Sequence, residues 1–406
     1  MSRASFSPRT SVAAAAAGAF ALITASILTS ADRADPAPKA RRTCTSSIAY
    51  TSGIGGYATY RIPAIVQTRE GALLAFAEGR TDGAGDSGNI DVVLRRSHDG
   101  GCTWERLQVV AAGNGHTRGN PAPVIDPRTG RVVLVTSYNA GNVTETQILR
   151  GETTAEQSRR VFVQTSYDDG RTFSRPREIT SAVKRPNWRW YATGPGHAIA
   201  LTSGVHAGRL VVPANHSTAP PPGSPDSGQE PHYYGAHAIY SDDGGLTWQL
   251  GFTDDSHEGA NNPNKSTAAQ LPDGRIYFNA RDQNGTSQGN RLDTYSSDGS
   301  TAERAYRTQP TLDDAPVVQG STLQLRGEHG KLLFSGPSEP NDRVAMAIWS
   351  SSDAGRTFTK ELVLSPKKAA YSTSSSPTPE RSASSTRPAR PHPTKPSSSA
   401  ASHCKH

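Results

Sequence analysis

An all-β propeller is the fold class the sequence predicts, on three observations: a recurring turn phrase, the spacing of its copies, and a turn-rich composition. The phrase Ser-x-Asp-x-Gly-x-Thr-Trp/Phe starts at Ser97, Ser166, Ser241 and Ser351, and a worn copy runs from Ser296 to Ala302. In chain order the starts lie 69, 75, 55 and 55 residues apart. Helical solenoids repeat every ~30 to 45 residues, whereas four short strands with loops of uneven length need more, so the copies mark propeller blades. Turns are abundant, with 38 Gly and 29 Pro among 406 residues, and no long helical periodicity follows residue 30.

Taken in order, the chain opens with a targeting signal. Arg3 and Arg9 precede an apolar stretch from Val12 to Leu28, then small residues at Thr29, Ser30 and Ala31. This is the layout of a secretory signal peptide over residues 1–31, and it predicts a secreted protein. The stretch is diluted by Ala and Thr and falls short of the ~20 residues a span needs, so stable membrane insertion is not expected. A linker over 32–47 leads into the body, 48–371, in which Arg131–Val135, Arg160–Val163 and Arg209–Pro213 read as strands bounded by turn residues. The turn phrase explains itself locally. Its Ser, Asp and Thr side chains bond nearby amides, its Gly takes a positive φ, and its last aromatic anchors the turn to its blade. A calcium loop is disfavoured because no Glu stands at the twelfth position. The cysteines are Cys44, Cys102 and Cys404 alone, so no disulfide framework is expected and the body must rely on its own core.

The net charge of +7 is a property of the tail. From Pro366 onward, Lys367, Lys368, Arg381, Arg387, Arg390, Lys395 and Lys405 face a single acid, Glu380, which leaves the rest of the chain near neutral and removes the case for a nucleic-acid face. Residues 372–406 hold 11 Ser, 4 Thr and 6 Pro and no Val, Ile, Leu, Met, Phe or Trp, so a disordered tail is expected. It reads either as a linker or wall-associating extension, or as the product of a shifted reading frame.

Chemistry enters with a set of short segments. Tyr60-Arg61-Ile62-Pro63 follows Gly55-Gly56-Tyr57, and the chain continues with Leu73-Leu74-Ala75-Phe76-Ala77-Glu78-Gly79-Arg80, Gly119-Asn120-Pro121-Ala122-Pro123-Val124 and Thr193-Gly194-Pro195-Gly196-His197. Leu271-Pro272-Asp273-Gly274-Arg275 then runs into Asn279-Ala280-Arg281-Asp282. With the turn phrase, known as the Asp box or BNR repeat, these segments from Ile48 to Tyr371 resemble the bacterial exo-α-sialidase (neuraminidase) family.

The resemblance implies a six-bladed β-propeller with its site at the end opposite the Asp boxes, a monomer acting on sialylated glycans, glycoproteins or gangliosides without cofactor or metal. Arg61, Arg281 and Arg343, the last after Phe334-Ser335-Gly336-Pro337, match the family's three carboxylate-holding arginines, and Arg80 is a further candidate for substrate binding. Rigid guanidinium forks suit a carboxylate fixed on the anomeric carbon. Asp86 matches the general acid/base; Asp82 and Asp91 are neighbouring competitors, with turn capping the plain role for all of them. Tyr371 matches the nucleophile. A phenol arrives uncharged at a carbon already bearing a carboxylate, where a carboxylate nucleophile would be repelled.

Two departures qualify the match. The family pairs its Tyr with a proton-accepting Glu, and the matching position here is Lys265. A protonated Lys is no base; a neutral one, or Glu258 upstream, could substitute, and otherwise catalysis is impaired. Family members also continue past the Tyr with strands that complete the last blade, so an incomplete last blade, exposed strand edges and lowered stability are expected. The readings that follow are a secreted exo-α-sialidase of reduced activity, a non-catalytic sialic-acid-binding propeller, and the inactive product of a damaged gene.

Overall fold

Why the strands read as short unbroken apolar runs is clear from where alternate side chains go. Residues 44–255, 261–284, 290–327 and 330–375 are described in a computed structural model; the expected signal peptide over 1–31, most of the expected linker, Glu258, Cys404 and the tail beyond Ser375 lie outside them. Twenty-one strands form five blade-like units among the described residues. The first contains β1 (Thr59–Gln67), β2 (Leu73–Arg80), β3 (Ile90–Ser97) and β4 (Gln108–Ala111). The second contains β5 (Thr117–Ile125), β6 (Val132–Asn139), β7 (Arg160–Ser166) and β8 (Arg177–Glu178). In the third, β9 (Trp188–Thr193) and β10 (Ile199–Ala200) both pair with β11 (Leu210–Thr218), followed by β12 (Tyr234–Ser241) and β13 (Gln249–Asp254). The fourth is β14 (Pro263–Gln270), β15 (Ile276–Asp282), β16 (Arg291–Ser296) and β17 (Arg307–Thr308). The fifth is β18 (Ser321–Gln324), β19 (Leu332–Glu339), β20 (Asp342–Ser351) and β21 (Thr359–Lys368). Within each unit, neighbouring strands are antiparallel.

Every strand near the middle of a blade is covered on both faces. Val132 and Leu134 of β6 join Leu74 and Phe76 of the first blade, while Val133 and Val135 join Leu210, Val212 and Ile239 of the third. Likewise Phe278 packs with Val211 toward the third blade, and Tyr277 with Phe334 and Trp349 toward the fifth. A period-2 strand with two buried faces becomes a continuous apolar run, which is how Val132–Val135 appears in sequence.

The Asp boxes form the turns after β3, β7, β12 and β20, with the hydrogen bonds their composition predicts. In the first, Ser97 Oγ donates to Asp99 Oδ1 (2.8 Å), the Gly101 amide donates to Ser97 Oγ (2.8 Å), and the Thr103 hydroxyl donates to Asp99 Oδ2 (2.7 Å). The phrase does more than turn the chain. A Cβ on Gly170, Gly245 or Gly355 would stand 3.1 Å from Leu74, 2.9 Å from Val133 or 2.7 Å from Tyr277, each on the preceding blade. The closing aromatics follow: the Phe173 ring lies 6.1 Å from Phe76 and the Phe358 ring 6.0 Å from Tyr277. The aromatic therefore anchors the turn to the neighbouring blade as well as its own.

Two findings concern the chain ends of the body. Cys44 and Cys102 are joined in a disulfide, contrary to the expectation of none, because the segment before the first blade folds back onto the first Asp box. There Trp104 Nε1 donates to Ser47 Oγ (2.9 Å), and Ala49, Tyr50 and Tyr57 cover Ala75, Ala77 and Val93. At the other end, residues 372–374 run between the fifth and first blades. The Ser372 hydroxyl donates to Ser335 O (2.8 Å), the Ser374 amide to Ser321 Oγ (3.2 Å), and the Ile65 amide to Thr373 Oγ1 (3.3 Å). Among the described residues there is no sixth blade-like sheet beside these five, where the resemblance implied six blades, and no helix is long and apolar enough to cross a membrane.

Candidate functional site

Three inner strands share one local irregularity at the same end. Register breaks fall between Arg61 and Ala64 in β1, Gly119 and Ala122 in β5, and Asn264 and Thr267 in β14. Inside each break a non-glycine residue occupies the left-handed region: Ile62 (φ 57°), Asn120 (φ 52°) and Lys265 (φ 50°). Each costs about 1–2 kcal/mol of backbone strain, and bulges of this kind re-aim side chains beside active sites. All three residues line a single cavity of about 200 Å³. The Asp boxes follow the far ends of their strands, so the cavity opens at the opposite end of the blades, as the resemblance implied.

The residues singled out in the sequence converge there. Arg61, Arg281 and Arg343 line the cavity from the first, fourth and fifth blades; Arg80, Asp86, Lys265 and Tyr371 line it too. Asp82 and Asp91 do not. Asp91 is occupied by the Tyr57 hydroxyl and the Gly113 amide, both donating at 2.6 Å, which is the capping role. Arg281 is buried; one Nη donates to Gln283 Oε1 (2.6 Å), and its Nε is buried without a partner among the described residues. Arg343 is exposed and donates to Val317 O (3.0 Å).

Asp86 sits in a chain of ion pairs. Arg80 Nε donates to Glu78 Oε2 (3.1 Å), Arg80 Nη1 lies 2.8 Å from Asp86 Oδ1, and Arg61 Nη1 lies 3.0 Å from the same oxygen. Burial alone would raise the Asp86 pKa, but Arg80, Arg61 and the more distant Lys265 outweigh it and hold the carboxyl below its usual range. Arg80 shows the converse: Glu78 and Asp86 outweigh its burial and raise it.

Beneath this lies a layer that sequence reading did not find. Arg159 is fully buried, donating to Tyr191 O (2.6 Å), Asn139 Oδ1 (2.7 Å) and Asn120 Oδ1 (2.6 Å), with its guanidinium 4.2 Å from the Trp190 ring centroid. Burial pulls it down to about 10, opposed by Glu78 and Glu145. Glu145 opens the helix α1 (Glu145–Arg150), where Thr144 and Gln147 form a capping box, and it accepts the Tyr234 hydroxyl at 2.7 Å. The capping box was a readable signal; the inward aim of Arg159 had none. Lys265 Nζ lies 6.0 Å from the Trp190 ring centroid, and no hydrogen bond or ion pair to its ammonium forms among the described residues. Burial, with Arg281 and Arg159, lowers its pKa against the pull of Tyr371 and Glu145. Six cations thus face three acids in the cavity wall, a site for an anion. Among the described residues no group of His, Cys, Asp or Glu is placed to hold a metal.

Residues 71–378 match the family model described as BNR repeat-like domain. The chain is 30% identical over 323 residues to an exo-alpha-sialidase of Aspergillus fumigatus, covering 75% of this chain and 70% of that one. It is 30% identical over 338 residues to a sialidase of Micromonospora viridifaciens, covering 79% of this chain and 48% of that one. Among solved structures, a Hadza microbial sialidase superposes with a TM-score of 0.67 at 25% identity, over 80% of this chain and 62% of that one. A leech intramolecular trans-sialidase shares the fold with a TM-score of 0.66 at 15% identity, over 82% of this chain and 65% of that one.

Proposed function

Since this chain belongs to the exo-alpha-sialidase family of BNR-repeat glycoside hydrolases, we propose that it binds terminal sialic acids of glycoconjugates and releases them with retention of configuration, at a rate limited by Lys265. The observation that carries this reading is the convergence of Arg61, Arg281 and Arg343 with Asp86 and Tyr371 on one cavity. The arginines take the substrate carboxylate, which guanidinium forks hold with paired, charge-assisted hydrogen bonds.

Substrate binding then changes Asp86. In the free protein Arg61 and Arg80 keep it ionised, unable to donate a proton. A substrate carboxylate that takes Arg61 removes one of these partners and adds a negative charge nearby. Both changes raise the Asp86 pKa, toward the state that protonates the leaving oxygen. Tyr371 attacks the anomeric carbon, and its proton needs an acceptor. Lys265 serves only in its neutral form, which the lowering by burial favours. The Cys44–Cys102 disulfide supports the secreted reading, since such bonds persist in oxidising compartments.

A second reading, a sialic-acid-binding propeller without turnover, is favoured by the same Lys265. A fluorogenic sialoside assay with Lys265→Glu separates them. Restoring the base is expected to raise kcat by ~10²- to 10⁴-fold for an impaired enzyme. Sialoside binding with no turnover in either form would establish the binding protein, and loss of neither binding nor turnover in Arg343→Ala would remove the carboxylate clamp.

A further inference from the structure

We infer that this cavity also captures free 2-keto acids covalently, the Lys265 amine condensing with the ketone carbon while Arg61, Arg281 and Arg343 hold the adjoining carboxylate. The inference rests on the sialic-acid reading and goes beyond it. A sugar acid released from its glycosidic bond is a hemiketal, and it opens to a chain whose C2 ketone stands directly beside the carboxylate. A clamp for that carboxylate therefore presents the ketone carbon to whatever nucleophile shares the cavity.

Lys265 has the attributes of that nucleophile. Its backbone is fixed in the left-handed region at the bulge of β14, and its side chain lines the cavity with the three arginines and Tyr371. It is half-buried, and its ammonium is not tied down by any described residue. Burial together with Arg281 and Arg159 pulls the amine below its usual range, and desolvation beside other cations is how lysines become imine-forming.

Lys184 is an internal control. Burial takes it down to about 8, yet its ammonium donates to Arg159 O (2.9 Å) and Arg189 O (3.2 Å), and it lies outside the arginine cavity. A lowered pKa alone would favour Lys184 as well; only Lys265 combines it with an adjacent carboxylate clamp.

The step balances without a further reactant. The amine nitrogen bonds to C2, the ketone oxygen receives one amine proton to give a carbinolamine, and loss of that oxygen with the second amine proton releases water and leaves the imine. Borohydride added as a trap delivers hydride to C2, solvent supplies the proton on nitrogen, and a secondary amine remains. Asp86 and Tyr371 line the same cavity and can carry the protons.

The test treats the full-length protein with N-acetylneuraminic acid, or with pyruvate as the smallest 2-keto acid, in the presence of borohydride, and maps the label by peptide mass spectrometry. The expected result is an adduct on Lys265 at roughly tenfold or more the level on Lys184, as a desolvated amine beside a clamp requires. It should be lost in Lys265→Arg, which keeps the cation, and reduced in Arg343→Ala. No adduct, equal labelling of Lys184, or labelling unchanged in Arg343→Ala overturns the inference. Calorimetry with 2-deoxy-2,3-dehydro-N-acetylneuraminic acid, which has the carboxylate but no ketone, distinguishes the two levels. Binding without an adduct leaves the sialic-acid reading intact and removes the imine; no binding and no adduct remove both.

Discussion

Asp86 is held by Arg80 at 2.8 Å and Arg61 at 3.0 Å, and this fixes how its chemistry depends on pH. Its folded pKa is lowered, so in the free protein the protonated acid is lost at a lower pH than for an ordinary carboxyl. The alkaline limb of kcat/KM, which reports the free acid, should therefore lie low. Removing Arg80 withdraws the larger of the two cationic effects, raises the Asp86 pKa and moves that limb to higher pH. The double variant Glu78→Gln/Arg80→Met is the suitable probe, because it removes the buried pair together and leaves no charge alone. Its pH–rate profile is the measurement, and an alkaline limb that stays in place would show that another group is the acid. Asp86→Asn should lower kcat by ~10²- to 10⁴-fold on sialosides with poor leaving groups, measured against a substrate with a good one, where the loss should shrink. Legibility at this scale divides by context. Arg61, Arg281, Asp86 and Tyr371 sit in short segments whose neighbours mark them, and all line the cavity. Arg159 sits in a loop and Glu145 at the start of a short helix; the capping box marks where that helix begins, but nothing local marks the inward aim of either side chain, which is set by the packing of β5, β6 and β9 around them.

The Asp box shows how an element can be legible in form and only partly so in role. Its internal hydrogen bonds repeat at Asp99, Asp168, Asp243 and Asp353 as the residue types require. The packing of its fifth-position glycine against the blade before it depends on residues 78 to 112 positions earlier in the chain, Leu74 for Gly170, Val133 for Gly245 and Tyr277 for Gly355, which no reading of a turn can supply. The two roles can be separated by substitution. Gly100, at the fourth position of the first box, has φ 75° and nothing within 4 Å of an added Cβ. Gly355, at the fifth position of the last box, has φ 86° and Tyr277 at 2.7 Å. Gly100→Ala should cost only the left-handed strain, about 1–2 kcal/mol. Gly355→Ala should add overpacking of ~1–3 kcal/mol, because the Tyr277 ring it meets is buried between two blades. Urea unfolding of both variants is the measurement, and equal losses would mean that the box is a turn without a seam role.

For the whole molecule, the repeat spacing marked blade-like units in order along the chain, of which the described residues hold five and not the six the resemblance implied, and the means of fastening the first blade carried no such mark. Cys44 and Cys102 are separated by 58 residues and by no pattern that distinguishes a disulfide from two free thiols, so only the return of residues 44–57 onto the first Asp box reveals the pairing. That return matters because the first blade carries Arg61, Arg80 and Asp86, and four apolar seams link the five blades in a row while the described residues place no such core between the fifth and the first. The outer face of the first blade is covered instead by Ala49, Tyr50 and Tyr57, and the disulfide holds that cover in place. Cross-linking a loop of this length constrains the unfolded chain by up to ~4 kcal/mol on the chain-entropy account. Reduction should therefore lower the urea midpoint, Cys102→Ser should lower it to a similar extent, and reductant should have no further effect on that variant. Because the cover lies against the strands that present Arg61 and Arg80, sialoside affinity should fall with it under mild urea, before the far blades unfold. A midpoint and an affinity both indifferent to reductant would show that the tyrosine cluster holds the cover alone and that the covalent link adds nothing to either stability or the site.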